Sequence, residues 1–221
     1  MKFEDRTDAG KQLAAALKDF LEQDVVVLAL PRGGVPVARE VANYLKAPLD
    51  LLLVRKLGVP WQPELAMGAV LDGNPPIVVR NEDVIRQAAV CEADFNSVRD
   101  RELTEIDRRR QLYSTGRPPI DVTGRIALIV DDGVATGATV KAAIKGLRKL
   151  HPEAVVVAIP VGPPDTVFDL RKLADRVVCL HEPGSFGAIG YFYHDFAQLS
   201  DEEVIASLEV GKTTNQTGSG G

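Results

Sequence analysis

The stretch RIALIVDDGVATGATVKAAIKGL, residues 125–147, decides how this chain folds. Its first part, Arg125–Val130, carries the unbroken apolar run IALIV, as a strand covered on both faces requires. The run ends in two adjacent carboxylates, Asp131 and Asp132. Small residues follow, and then an amphipathic pattern over 138–150 that predicts a helix. Strand, tight loop and helix make one half of a parallel α/β unit. Two neighbouring carboxylates repel each other unless hydrogen-bond donors or a cation face them. In parallel α/β sheets, ligands that supply such partners sit at the carboxyl ends of the strands.

The same alternation extends to both sides. Asp24–Leu30 (DVVVLAL) predicts a buried strand, broken by Pro31-Arg32-Gly33-Gly34, with a helix over 35–45 and a second buried strand over Leu49–Arg55. Downstream come a strand over Ala154–Val161, a helix over 164–173 and a strand over Arg176–Leu180. A first helix over 7–22 would carry Leu13, Ala16, Leu17, Phe20 and Leu21 on one face, capped by Thr7 or Asp8. Residues 56–75, rich in Gly and Pro, read as a long mobile loop with a short strand near Met67–Leu71, followed by a short strand at Ile77–Val79. Residues 81–115 are the most helical and most charged part and read as an inserted helical arm. Val90, Phe95, Val98, Leu103, Ile106 and Leu112 form its apolar stripe, and its charges form a solvated face. The fold class expected is α/β, a central, mainly parallel sheet flanked by helices, with a helical insertion. Residues 1–210 form a single domain in this reading, and the polar, Gly/Ser-rich 211–221 is a disordered tail.

Composition narrows the function. The chain has 221 residues, 45% hydrophobic and 26% charged, and a formal charge of −5. That acidic balance argues against nucleic acid as a partner, since nucleic-acid binders show a basic footprint. Two cysteines, Cys91 and Cys179, make neither a disulfide framework nor a zinc site. The opening MKFEDRTDAGKQ does not read as a signal peptide, and no apolar run approaches the ~18 residues that span a bilayer. The expected location is the cytoplasm, away from membranes.

The loop after the strand supplies the chemistry. Two carboxylates suit a sugar diol, or a neighbouring magnesium ion. Gly133–Thr139 then offers small residues, two hydroxyls and a helix N-terminus, a nest for a phosphate. Together they describe a binder of ribose 5-phosphate. A Walker A loop would need GK[ST], which is missing, and a dinucleotide fingerprint would place its acid after the glycines, not before.

At these residues the chain resembles a family. VDDGVATGAT is similar to the PRPP-binding loop of the type I phosphoribosyltransferases. The resemblance implies that Asp131 and Asp132 hold the ribose hydroxyls and that Gly133, Val134, Ala135, Thr136, Gly137, Ala138 and Thr139 wrap the 5-phosphate. PRGG resembles the family's pyrophosphate loop, which often contains a strained, sometimes cis, non-proline peptide; Arg32, Gly33 and Gly34 would bind there. Arg55 and Lys56 would add charge for the leaving pyrophosphate, and LGVPWQPELAMGAV resembles the mobile lid. The segment HEPGSFGAIGYFYHDF, 181–196, stands where the family has its small hood, with Phe186, Ile189 and Tyr191 flanking a flat base; His181 and His194 lie in it.

The activity implied is transfer of ribose 5-phosphate from PRPP to a nitrogenous base or related acceptor, with release of pyrophosphate. Asp131, Asp132, Arg55 and Lys56 would carry the catalysis. The implied cofactor is Mg2+, held mainly through substrate and water, with Asp131 and Asp132 as its candidate protein ligands. Ala135 stands where 6-oxopurine enzymes of the family have an acid, which argues against hypoxanthine or guanine as acceptor. Two alternatives stand beside an enzyme: a non-catalytic regulator that binds PRPP or a nucleotide, and a module for another phosphorylated ligand. A homodimer is the family-level expectation.

Overall fold

The computed structural model of the chain describes residues 2–73, 75–113 and 119–209. The strands are β1 (Val25–Ala29), β2 (Leu49–Leu51), β3 (Val54–Val59), β4 (Gln62–Leu71), β5 (Ile77–Arg80), β6 (Ile126–Val130), β7 (Ala154–Val161) and β8 (Arg176–His181). The helices are α1 (Arg6–Ala16), α2 (Gly34–Leu45), α3 (Glu82–Gln87), α4 (Glu92–Tyr113), α5 (Ala138–Leu147), α6 (Pro164–Arg171) and α7 (Asp201–Glu209). The proposed tail, 211–221, and residues 114 and 115 of the predicted arm lie outside the described residues.

The main sheet runs in the order β2-β1-β6-β7-β8, every neighbouring pair parallel. All positions of β1 and β6 are buried. Their β-branched runs have no polar face to offer water, so they can only be interior strands. Alternate residues feed the two faces. Val25, Val27, Leu128 and Val130 join Leu13 and Leu17 of the α1 side and Val41 of α2. Val26, Leu28, Ala127 and Ile129 join Val140 and Ile144 of α5 and Val167 of α6.

Several expectations need correction. The helix over 7–22 ends at Ala16 and tightens into a 3₁₀ turn, Lys18–Phe20. Leu13, Leu17 and Phe20 are buried as expected, but Ala16 and Leu21 face solvent and Ala14 takes the inner position. The cap is Asp5, whose carboxylate accepts from the Asp8 N–H at 2.7 Å, in place of Thr7 or Asp8.

The second buried strand is also split. Leu49–Leu51 pairs with β1, and from Val54 the chain enters a separate antiparallel sheet, β3-β4-β5. Residues 56–75 are therefore largely a hairpin, paired from Val54↔Leu71 to Val59↔Gln62 with register shifts around Gly58. Its glycines and prolines, which read as loop, serve a bulged ribbon: a methyl group on Gly58 would stand 2.9 Å from Pro63 Cα.

The predicted arm lies against that hairpin. Phe95, Val98 and Ile106 of α4 are buried with Leu57, Val59 and Met67. Leu103 is half-buried and Leu112 exposed, so the stripe is narrower than its sequence suggests.

The strand order positions the site. From β1 the chain passes through α2 to β2 on one side, and from β6 through α5 to β7 on the other. The carboxyl ends of β1 and β6 therefore flank the crevice where the winding reverses, where open α/β sheets hold ligands.

Candidate active site

The PRGG and DDG segments leave β1 and β6 side by side. The Leu30 N–H donates to Val130 O at 2.9 Å, which keeps the two strand ends in step. The Pro31–Arg32 peptide is cis, as the family resemblance suggested. Gly33 and Gly34 then pass directly over the acid pair. A methyl group on Gly33 would overlap the Asp132 carboxylate, and one on Gly34 would sit 2.7 Å from Val130 O and 2.9 Å from Asp131 Cα. Glycine is required here by proximity alone.

The two carboxylates have different surroundings. Asp131 Oδ1 accepts the Asp132 N–H at 2.9 Å. Asp132 is buried, and its Oδ2 accepts from Arg6 Nε at 2.8 Å. Its backbone carbonyl accepts the Tyr193 hydroxyl at 2.6 Å. Burial, and then the Asp132 charge, push the Asp131 carboxyl well above its ordinary range. Burial pushes Asp132 upward too, while the Arg6 guanidinium pulls against it.

Gly133 and Gly137 have φ of 156° and 69°, where glycine is favoured. Between them Val134 is core: its side chain is buried, and its N–H donates to Val161 O at 2.9 Å. It anchors the loop, so its expected share in wrapping a phosphate falls to its neighbours. Thr166 of α6 donates to Ala135 O at 2.8 Å and braces the outer turn. Ala135, Thr136, Ala138 and Thr139 are exposed, beside the first-turn amides of α5, which no helix satisfies internally.

The cations expected for pyrophosphate are less uniform. Arg32 donates to Leu199 O at 3.0 Å and lies 3.9 Å from Asp201, which in turn accepts the Tyr113 hydroxyl. Arg55 and Lys56 belong to β3 of the hairpin, not to a main-sheet strand. Arg55 pairs with the buried Glu102 of α4 at 2.7 Å, and exposed Lys56 pairs with Glu64 across the hairpin at 3.3 Å. A small cavity is lined by Pro31, Leu52, Arg55, Arg109 and Thr139, so one arginine of α4 reaches the site side of the sheet. Met67, in the stretch resembling a lid, is fully buried, whereas Trp61 at the hairpin turn is 58% exposed.

The 181–196 segment folds back over the acid pair. Ile189 touches the loop, since a methyl on Gly133 would stand 2.8 Å from its Cγ2. Phe186 stacks on Phe192 at 5.4 Å, and His181 meets the edge of the same ring. Tyr191 is 68% exposed, and His194 is exposed with its N–H on Phe3 O. The first residues of the chain complete this cap: Phe3 packs on Tyr193, and backbone bonds join residues 3 and 4 to 192–195. Sequence reasoning missed this contribution, Arg6 included.

Two loops in contact at the switch point, one acidic with a glycine-rich nest and one carrying a cis peptide, are accompanied by a direct match. A family model for the phosphoribosyl transferase domain matches residues 77–197, more than half of the chain. The chain belongs to the phosphoribosyl transferase domain family. Two Mycobacterium tuberculosis proteins provisionally named phosphoribosyl transferases, Rv0571c of strain H37Rv and MT0597 of strain CDC 1551, are each 52% identical to it over 207 residues. Those matches cover 94% of this chain and 46% of theirs, so the chain spans about half the length of the curated relatives it matches. The crystal structure of TT1426 from Thermus thermophilus superposes with a TM-score of 0.85 at 41% identity, over 94% of this chain and 98% of that one. That likeness reaches beyond residues 77–197 and takes in β1 and the PRGG loop. Among the described residues no helix is long and apolar enough to cross a membrane.

Proposed function

We propose that this phosphoribosyl transferase domain binds PRPP with Mg2+ and transfers ribose 5-phosphate to a nitrogenous acceptor, releasing pyrophosphate. The observation that carries the reading is the contact between the PRGG turn and the Asp131–Asp132 pair at the switch point. A ligand carrying a vicinal diol between two phosphate groups would need an acid pair, a small-residue loop and a close backbone turn side by side, and the approach of Gly33 and Gly34 to Asp131 and Asp132 supports that reading.

In this reading Asp131 and Asp132 hold the ribose hydroxyls. The exposed residues Ala135, Thr136, Ala138 and Thr139, with Gly137 turning the backbone, enclose the 5-phosphate. Arg32 and the Gly33–Gly34 backbone face the pyrophosphate, with Arg55, Lys56 and Arg109 supplying charge from the hairpin and α4. The bond from C1 to the pyrophosphate oxygen breaks and pyrophosphate keeps the electron pair. An acceptor nitrogen then forms its bond to C1 from the opposite face. The protein's share is orientation and stabilisation of developing charge. Among the described residues no group of three or more His, Cys, Asp or Glu forms a metal cage. The acid pair still fits a magnesium ion completed by water and phosphate oxygens, the usual way this ion is held. When bound, that ion would neutralise phosphate charge. Phe186, Ile189 and Tyr191 are the proposed flank for the acceptor ring.

A second reading, a PRPP- or nucleotide-binding regulator, draws on one observation: Arg55 and Lys56 already have carboxylate partners within the protein. Pyrophosphate release separates the two. Incubation with PRPP, Mg2+ and a panel of nitrogenous acceptors should give release that depends on one acceptor class and drops roughly a hundredfold or more in Asp131→Asn. Tight PRPP binding with no release under any acceptor would favour the regulator.

A further inference from the structure

The strongest unassigned feature near the site is Arg6, in the first turn of α1. Its Nε donates to Asp132 Oδ2 at 2.8 Å, and its Nη1 donates to Ala197 O at 2.8 Å. The guanidinium lies over the Phe196 ring, 3.9 Å from the centroid. Its side chain is 11% exposed, and that of Asp132 is 10%. Nothing in a plain helix start requires an arginine to be buried this way. A long, mobile side chain held on three partners has lost most of its freedom, so its contacts must compensate.

The partners come from three separate places. Asp132 follows β6, Phe196 ends the 181–196 segment with Ala197 next to it, and Arg6 itself follows Phe3, which packs on Tyr193. Tyr193 packs at a tilt against Phe196, with ring centroids 4.9 Å apart, and donates its hydroxyl to Asp132 O. A single guanidinium therefore joins the acid pair to the cap over it. Its planar fork permits this: Nε and Nη1 serve two acceptors while the face stays free for the ring.

We infer that Arg6 is a positioning residue that fixes the Asp132 carboxylate for the sugar and ties that carboxylate to the cap, so that sugar and acceptor subsites form as one unit. The inference rests on the phosphoribosyl reading. It adds that sugar occupancy is transmitted through Arg6 to residues 189–197. Lysine separates the two roles. Its ammonium group can pair with Asp132, but all its donors sit on one nitrogen and it has no planar face to lay on Phe196, so it does not reproduce the spread of contacts that Nε, Nη1 and the guanidinium face make.

The experiment combines calorimetric titration of magnesium PRPP with amide hydrogen exchange over 186–197, on wild type, Arg6→Gln and Arg6→Lys. Wild type should bind, and binding should slow exchange in the cap. Arg6→Gln should weaken binding roughly tenfold, the scale of losing one charge-assisted hydrogen bond. Arg6→Lys should bind within about threefold of wild type, yet its cap exchange should no longer respond to PRPP. If Arg6→Gln does not fold, Arg6→Lys alone decides: retained binding with an unresponsive cap supports the inference. A lysine variant whose cap still responds overturns it, as does Arg6→Gln binding at wild-type affinity. A folded wild type that fails to bind overturns the phosphoribosyl reading itself, and with it the role given to Arg6.

Discussion

At the scale of single residues, the site is governed by close approach. Gly33 passes so near Asp132 that a methyl group would displace the carboxylate from Arg6. Gly33→Ala should therefore destabilise the fold by about 1–3 kcal/mol, as overpacking typically does, which urea unfolding would measure. Asp131 makes the opposite prediction. Burial and the neighbouring charge raise its carboxyl above the ordinary value of 3.8. A carboxyl raised in the folded state binds its proton more tightly there than in the unfolded chain. Ionising it thus costs stability, and that cost appears as pH climbs above the ordinary value. Asp131→Asn keeps an oxygen for the Asp132 N–H and removes the charge. In the ligand-free protein it should melt a few degrees higher at pH 7, with the gain shrinking as pH falls toward 4; an unchanged or lower melting temperature at pH 7 would contradict this. The acid pair and the PRGG turn were legible in the sequence because each breaks an apolar run with residues that a plain turn does not need. Arg6 was not. In MKFEDRTD it reads as an ordinary charged helix start, and its partner lies 126 residues away.

At the scale of elements, the parallel strands and their helices followed from patterning, since IALIV and VVVLA have no polar face to expose. The hairpin did not. Gly58, Pro60, Pro63 and Gly68 are depleted in strands generally, and only the bulged pairing of β3 with β4 accommodates them. The charged look of α4 likewise hid its packing role, because its buried residues are few and widely spaced along the chain. Two substitutions weigh these features. Ile106, 1% exposed beneath the hairpin, should cost about 2–5 kcal/mol on truncation to alanine. Glu64→Gln breaks the Lys56 pair at the surface, where such pairs contribute only about 0–1 kcal/mol. Urea midpoints would separate the two, and comparable losses would mean that α4 does not anchor the hairpin as described.

At the scale of the whole molecule, the strand order β2-β1-β6-β7-β8 brings two loops distant in sequence to one crevice. The cap over them combines both ends of the described chain: residues 3–6 hold the 181–197 segment, and the stretch from Ala197 to Asp201 receives Arg6 and Arg32 in turn. Sugar, pyrophosphate and acceptor subsites would then share one rigid frame, with the hairpin and its exposed Trp61 at the margin. That frame is meaningful for function only if the crevice holds PRPP. The most direct test is calorimetric titration of PRPP with Mg2+ into wild type and into the Asp131→Asn/Asp132→Asn double variant. Saturable binding by wild type, lost in a double variant that remains folded, is the result expected. A folded wild type that takes up no PRPP, or a double variant that binds it equally well, would contradict the assignment of the acid pair to the ribose.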